Sequence, residues 1–329
     1  YSLMKNKKGG TEMKASRADI SKSCRKKWMY IRQHPGMYVM LLPGLFFLFI
    51  YKLFPLYGIQ IAFRDYNVFL GNNPIDAIAK SPWVGLKYFE QLFSSAQFLK
   101  VLGNTLTISV LKIIFLFPLP IICAILLNEI HHKLYHKLVQ TVIYVPYFLS
   151  WVIIYGVFYS IVSSYGVLNS MLGLAGSDKI NLLSDPVKFI GLLVFTEGWK
   201  ETGYNTIIYL ASITAIDGTL FEAARMDGAN RWKQIWHVTL PGLLPTIVLM
   251  LILRVGNILN AGFEQILVFY NPSVYSTADI IDTYVYRMGL GQMDFSLSSA
   301  MSLFNSVVAF ILIVGANAVS RKLTERSIW

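Results

Sequence analysis

Apolar residues in this chain are gathered into long, nearly unbroken runs between short polar connections. Six runs reach about the 20 residues that a helix needs to cross a bilayer core. They cover residues 37–58, 101–127, 138–162, 187–215, 243–261 and 299–318. They are too long and too uniformly apolar for the buried elements of a soluble domain. Lipid offers no partner to free backbone groups, so each run predicts a transmembrane helix. Pro43, Pro55, Pro118, Pro120 and Pro146 fall within or at the ends of these runs, where neighbouring helices can re-satisfy the freed carbonyls. The fold class that follows is an all-α polytopic membrane protein with six spans.

Composition strengthens this reading. Hydrophobic residues make up 55% of the chain, charged residues only 14%, and mean hydropathy is +0.51; soluble domains carry roughly a quarter charged residues. The net charge of +11 would suit nucleic acid in another context. Here the basic residues lie in the tail before residue 35 and in short loops, which points to membrane topology and not to nucleic acid. Cys24 and Cys123, one in the basic tail and one inside an apolar run, make no disulfide framework. The first apolar run follows about 36 polar, basic residues and exceeds a signal-peptide core, so it reads as a retained anchor.

Orientation follows from the lysines and arginines. Six spans put both termini on one side, and that side carries 18 Lys and Arg against 7 on the other. Both termini are therefore expected in the cytoplasm. The chain divides into a basic arm (1–35) attracted to anionic lipid, a first span with an extracellular loop (36–100), a core of five spans (101–320) and a short C-terminal tail (321–329).

The cytoplasmic loop between spans four and five, residues 217–245, has the most specific local chemistry. Thr219 and Glu222 have capping-box spacing, which starts a helix. Gly228 stands where a left-handed C-terminal cap would end it about two turns later. A second short helix is expected over about 230–238, and Pro241 and Pro245 then lead into span five. The result would be two short helices about a glycine elbow. Phe221, Ala224 and Met226 give the first an apolar surface suited to a groove on a partner.

Glu222-Ala223-Ala224-x-x-Asp227-Gly228-Ala229, then eight residues, then Val238-x-Leu240-Pro241, resembles the EAA loop of binding-protein-dependent ABC permeases. Pro43-Gly44, Phe63-x-x-Tyr66-Asn67, Trp83-Val84-Gly85-Leu86-x-Tyr88-Phe89 and Asn104-Thr105 resemble the carbohydrate-uptake branch that includes the maltose permeases. Val145-Pro146-Tyr147-Phe148-Leu149-Ser150-Trp151 and the basic arm resemble its LplB-like polysaccharide and oligosaccharide members. The resemblance implies a type I ABC importer permease fold in the plasma membrane. It also implies a second permease, two copies of a cytoplasmic ATPase carrying ATP and Mg, an extracellular substrate-binding (lipo)protein and a sugar substrate. Glu222, Ala223, Ala224, Asp227, Gly228, Ala229, Leu240 and Pro241 would then couple the chain to the ATPase.

Ionisable groups within spans are costly and tend to face a bundle interior or a water-filled path. Span four offers Glu197, Lys200, Glu201 and Tyr204 on one face, with Trp199 and Asn205 beside it. Span five offers Arg254, Asn257 and Asn260, and span six Asn305. These residues either line a sugar path or glue helices together. Lys200 and Arg254 would suit an anionic sugar such as a uronate, and Lys112 in span two is undecided. His131, His132 and His136 read as solvated faces of a short cytoplasmic helix rather than metal ligands. No phosphate-binding loop is present, so ATP hydrolysis would belong to a partner, and the chain itself would hold no cofactor or metal. Two other readings are a membrane-embedded glycan-modifying enzyme using Glu197 and Glu201, and a secondary transporter; neither accounts for the 217–245 loop.

Overall fold

The computed structural model describes residues 33–324. The basic arm with Cys24, and the last five residues, lie outside the described residues. The chain divides into two units, Tyr1–Gln60 and Ile61–Trp329.

In the first unit, α1 (Pro35–Leu48) opens on a proline whose missing N–H costs nothing in a first turn. It passes through a π-turn at Phe49–Leu53 into a 3₁₀ segment beginning at Phe54. The π-turn stands immediately before Phe54-Pro55, where a regular helix would drive the proline ring into the carbonyl four residues back. Side chains such as Met40 and Phe46 are exposed along this helix, as lipid contact requires.

The second unit starts with α2 (Pro74–Lys80) and α3 (Lys87–Ser94), then α4 (Ala96–Leu116) and α5 (Pro118–Asn128). It continues with α6 (Lys133–Tyr144), α7 (Trp151–Val162), α8 (Val167–Leu174) and α9 (Pro186–Thr214). After these come α10 (Gly218–Met226), α11 (Arg231–Gly256), α12 (Phe263–Phe269), α13 (Tyr275–Ala278), α14 (Ile281–Tyr286) and α15 (Phe295–Thr324). The long α9 is central, packing against α4, α5, α6 and α11. Among the described residues, three apolar clusters hold the unit together. One joins Ile108, Ile154, Phe189, Leu193 and Phe269; a second joins Leu92, Phe98, Ile281 and Met301; a third joins Ala124, Tyr209, Ile213 and Leu243.

Among the described residues, five helical stretches are long and apolar enough to cross a membrane: Pro35–Phe63, Ala96–Asn128, Trp151–Leu174, Arg231–Gly256 and Phe295–Lys322. A sixth arises if α9 and α10, bent by 68°, are taken together. Two spans differ from the sequence expectation. The run 138–162 is not one helix: α6 stops at Tyr144, Val145–Phe148 forms a 3₁₀ turn around Pro146, and Ser150 caps a new helix by accepting from the Ile153 N–H at 3.4 Å. The spanning length comes instead from Trp151 onward. The fifth span begins at Arg231, not at residue 243, and ends at Gly256. Pro241 is absorbed because a π-turn at Ile235–Thr239 widens the helix just ahead of it, as at Pro55. The separate short helix expected over 230–238 is thus the first part of span five.

Candidate functional site

Two places concentrate the chemistry. The first is the elbow between α9 and α11. Asp217 caps α10 by accepting the Thr219 N–H at 3.0 Å, so the Thr219–Glu222 capping box expected from spacing is replaced by a cap two residues earlier. The helix ends in a full Schellman pattern, Ala229 N–H to Ala224 O at 2.9 Å and Gly228 N–H to Arg225 O at 3.0 Å, with Gly228 at φ +72°. Asn230 caps α11 through the Lys233 N–H, and the buried Gln234 reaches back to Ala229 O at 2.9 Å. Arg231 pairs with Glu129 at 3.6 Å and donates to His131 Nε2 at 3.3 Å, while His131 Nδ1 donates to the Glu129 carbonyl at 2.7 Å. The elbow is therefore braced on both sides. Glu222, Ala223, Asp227 and Gly228 are exposed on it, and Ala224 and Ala229 are half-buried. Leu240 and Pro241 lie within α11, beyond the π-turn.

The Thr219 N–H holds the Asp217 carboxyl below the usual carboxylate range. Its cap is therefore complete above the unfolded value near 3.9 and is lost only as pH falls through the lower folded value. Asp217→Ala is expected to speed amide exchange in the first turn of α10 several-fold, equally from about pH 6 to 8. Equal exchange in both proteins would show that the cap does not hold this helix.

The second place is a cavity of about 450 Å³ within the bundle, where three breaks in helical structure converge. Leu116, Phe117 and Pro120 come from the α4–α5 break, Tyr147 and Trp151 from the Pro146 break, and Asn257, Asn260 and Gly262 from the segment after α11. α9 contributes Glu197, Glu201, Tyr204 and Asn205, and α11 contributes Arg254. Irregular backbone at membrane depth is tolerated where it is buried in protein or lines a wet cavity, and two lysines satisfy its carbonyls here. Lys200 Nζ donates to Tyr147 O at 2.6 Å and Leu149 O at 2.7 Å. Lys112 Nζ donates to Ala261 O at 2.6 Å and Gln265 Oε1 at 2.7 Å. Lys112 also forms an ion pair with Glu197, whose other oxygen accepts from Arg254 at 2.8 Å. Tyr147 and Tyr204 stack with ring centroids 4.2 Å apart and 7° between planes. The cavity thus offers one aromatic pair, side-chain amides, two carboxylates and a guanidinium, which is a hydrogen-bonding set for a polyhydroxylated solute.

Of the path residues expected from sequence, Glu197, Glu201, Tyr204, Arg254, Asn257 and Asn260 meet in this cavity. Three do not line it. Trp199 lines a separate apolar groove and meets Phe158 edge-on at 5.6 Å. Lys200 is turned to the Tyr147 and Leu149 carbonyls, because the Pro146 break leaves them without backbone donors. Asn305 faces α14 and donates to Asp282 at 3.4 Å.

Residues 116–325 match the family model for the binding-protein-dependent transport system inner membrane component. The chain is 42% identical to protein LplB of Bacillus subtilis over 93% of its own length and 92% of the relative's. It is 41% identical to the polygalacturonan/rhamnogalacturonan transport system permease protein YteP of the same organism, over 95% and 96%. It also superimposes with a TM-score of 0.82 on a chain of a bacterial ABC transporter involved in import of the acidic polysaccharide alginate, at 40% identity, covering 91% of this chain and 99% of that one.

The chain belongs to this transport family. It is a multi-pass membrane permease with the type I importer fold of its structural relative, and the 217–245 elbow sits in its penultimate span connection.

Some residues that line or brace the permease's cavity were not visible as such in the sequence. Tyr147 and Trp151 sit in an apolar run that reads as continuous helix, and only Pro146 marks the break that turns them inward. Lys112 has no charged neighbour within its own span, and its partners come from residues 197, 261 and 265. Lys200 is 8% exposed, so Lys200→Met strips two carbonyls of their donor. The expected cost is about 2 to 3 kcal/mol, read as a lowered unfolding temperature in detergent. Unchanged stability would mean that the 145–150 turn is held by other contacts.

Proposed function

We propose that this permease passes an oligosaccharide or polysaccharide fragment across the plasma membrane, delivered by an extracellular binding protein and driven by ATP hydrolysis on partner subunits. The cavity carries this reading: aromatic faces, amides and charged groups gather where three broken helices meet within one bundle. The names of the polygalacturonan/rhamnogalacturonan permease and the alginate importer support the same substrate class. A second permease, itself a different chain, completes the pathway. Two ATPase copies holding ATP and Mg dock at the elbow, and membrane lipid surrounds the spans. Both termini face the cytoplasm, in keeping with the 18 to 7 bias of basic residues.

The mechanical role follows from the braced elbow. α10 is fixed to α11 through the Schellman turn, Asn230 and Gln234, and α11 is fixed to α9 by the Ser212–Thr246 hydroxyl pair at 2.8 Å. A displacement of α10 is thereby passed into α11, which contributes Met250, Leu253 and Arg254 to the lining of the cavity. The test is uptake into proteoliposomes holding the whole transporter with its binding protein. ATP-dependent accumulation of a labelled oligosaccharide is the expected result. Accumulation of an unrelated solute, with no oligosaccharide taken up, would replace the substrate class.

A further inference from the structure

Lys112 and Arg254 pair with different oxygens of one carboxylate, that of Glu197. Lys112 is 1% exposed and lies behind Glu197, away from solvent. Arg254 spans the front, with its side chain 43% exposed and lining the cavity, and uses one terminal nitrogen on Glu197. Among the described residues its other N–H groups meet no acceptor. Glu201 is the second carboxylate lining the same cavity, and the third cation, Lys200, is committed to backbone carbonyls.

The charge arithmetic is simple. With Lys112 present, the Lys112–Glu197–Arg254 cluster carries one net positive charge, and that charge sits on the member that faces the cavity. Without Lys112, Glu197 would neutralise Arg254 outright and Glu201 would leave the cavity negative. We propose that Lys112 sets the charge preference of the pathway: it neutralises Glu197 from behind, so that Arg254 keeps a free guanidinium face for the carboxylate of an acidic sugar. This rests on the oligosaccharide reading above. Lys112 is a positioning residue, since it acts through Glu197 and Arg254 and does not reach the cavity itself. A guanidinium suits the task because its remaining donors form a planar fork that matches a carboxylate.

A purely structural role for Lys112 predicts only loss of folded protein, whereas the charge role predicts a pattern across variants. The experiment uses the complete transporter in proteoliposomes with the same binding protein in every sample, so that changes belong to the permease. The probes are trigalacturonate and its methyl ester, equal in length and shape but differing in charge. Lys112→Met is expected to lower the acid-to-ester ratio of initial uptake about tenfold, the scale of one charged hydrogen-bonded contact. Glu197→Gln is expected to raise it. Lys112→Met combined with Glu197→Gln is expected to return it to the wild-type value or above, because Arg254 is again uncompensated.

An unchanged ratio in Lys112→Met, or a ratio that stays low in the double variant, overturns the inference while leaving the oligosaccharide reading standing. Should Lys112→Met fail to assemble, Glu197→Gln decides alone, and a ratio no higher than wild type overturns the proposal. A wild-type transporter that takes up neutral oligosaccharides but neither probe overturns the inference alone, and one that takes up no oligosaccharide removes both the reading and the inference.

Discussion

Gly228→Val is expected to abolish uptake while the assembled transporter goes on hydrolysing ATP. Gly228 has φ +72°, and a Cβ placed there meets nothing within 4 Å. The penalty is therefore conformational and not steric: a β-branched residue resists the left-handed region by about 1 to 2 kcal/mol. That is enough to favour a turn in which the Ala229–Ala224 and Gly228–Arg225 hydrogen bonds are not made. α10 would then be joined to α11 by a soft link, and a stroke delivered to α10 would be absorbed in it. The open space supplies a control. Gly228→Asn tolerates left-handed backbone and is expected to retain most of the uptake. Equal uptake in Gly228→Val and wild type would mean that the elbow does not transmit force.

The second large effect is expected at Gly203, where α9 crosses α6. A Cβ at this position collides with the backbone carbonyl of Ile143. Backbone cannot move aside as a flexible side chain can, so Gly203→Val must push the two helices apart. About 3 kcal/mol of destabilisation is expected from overpacking of this kind. It should appear as a markedly lower unfolding temperature in detergent, with Gly203→Ala already showing part of it. At Gly191, on the same helix, an added methyl group would have no atom within 4 Å, and Gly191→Ala should leave stability close to wild type. Equal stability of the Gly203 and Gly191 variants would contradict the close crossing.

What the sequence made legible was whatever depends on local chemistry. Long apolar runs gave the membrane class, and the string from Glu222 to Pro241 gave the elbow. Gly228 was readable as a left-handed cap because few other residues accept that backbone. The capping residue was misplaced by two positions because Asp217 competes with Thr219 for the same exposed N–H groups, and spacing does not rank them. Continuity of helices was harder still. Pro146 breaks a helix and Pro241 does not, yet both stand in apolar runs. The difference lies in a π-turn ahead of Pro241 and in Lys200 and Ser150, which satisfy the backbone around Pro146. Lys200 was expected in the path because it shares a helical face with Glu197 and Glu201. It is drawn away by carbonyls about fifty residues earlier in the chain, a tertiary effect without a local signature. Lys112 was undecided for the complementary reason: its role depends on Glu197 and on backbone near residue 261.

The central claim is that α10 is where ATP-driven partners grip this permease. Leu220 and Met226 are exposed apolar residues on that helix, 53% and 89% accessible, and changing them leaves the Schellman turn intact. The decisive measurement is purification of the tagged chain in mild detergent from its native membrane, in parallel with a Leu220→Asp/Met226→Asp double variant, followed by identification of what accompanies each. The account predicts a second permease with both forms and an ATP-hydrolysing subunit with the wild type alone. Recovery of the ATP-hydrolysing subunit in equal amounts with both forms, or its absence from the wild type, would contradict it.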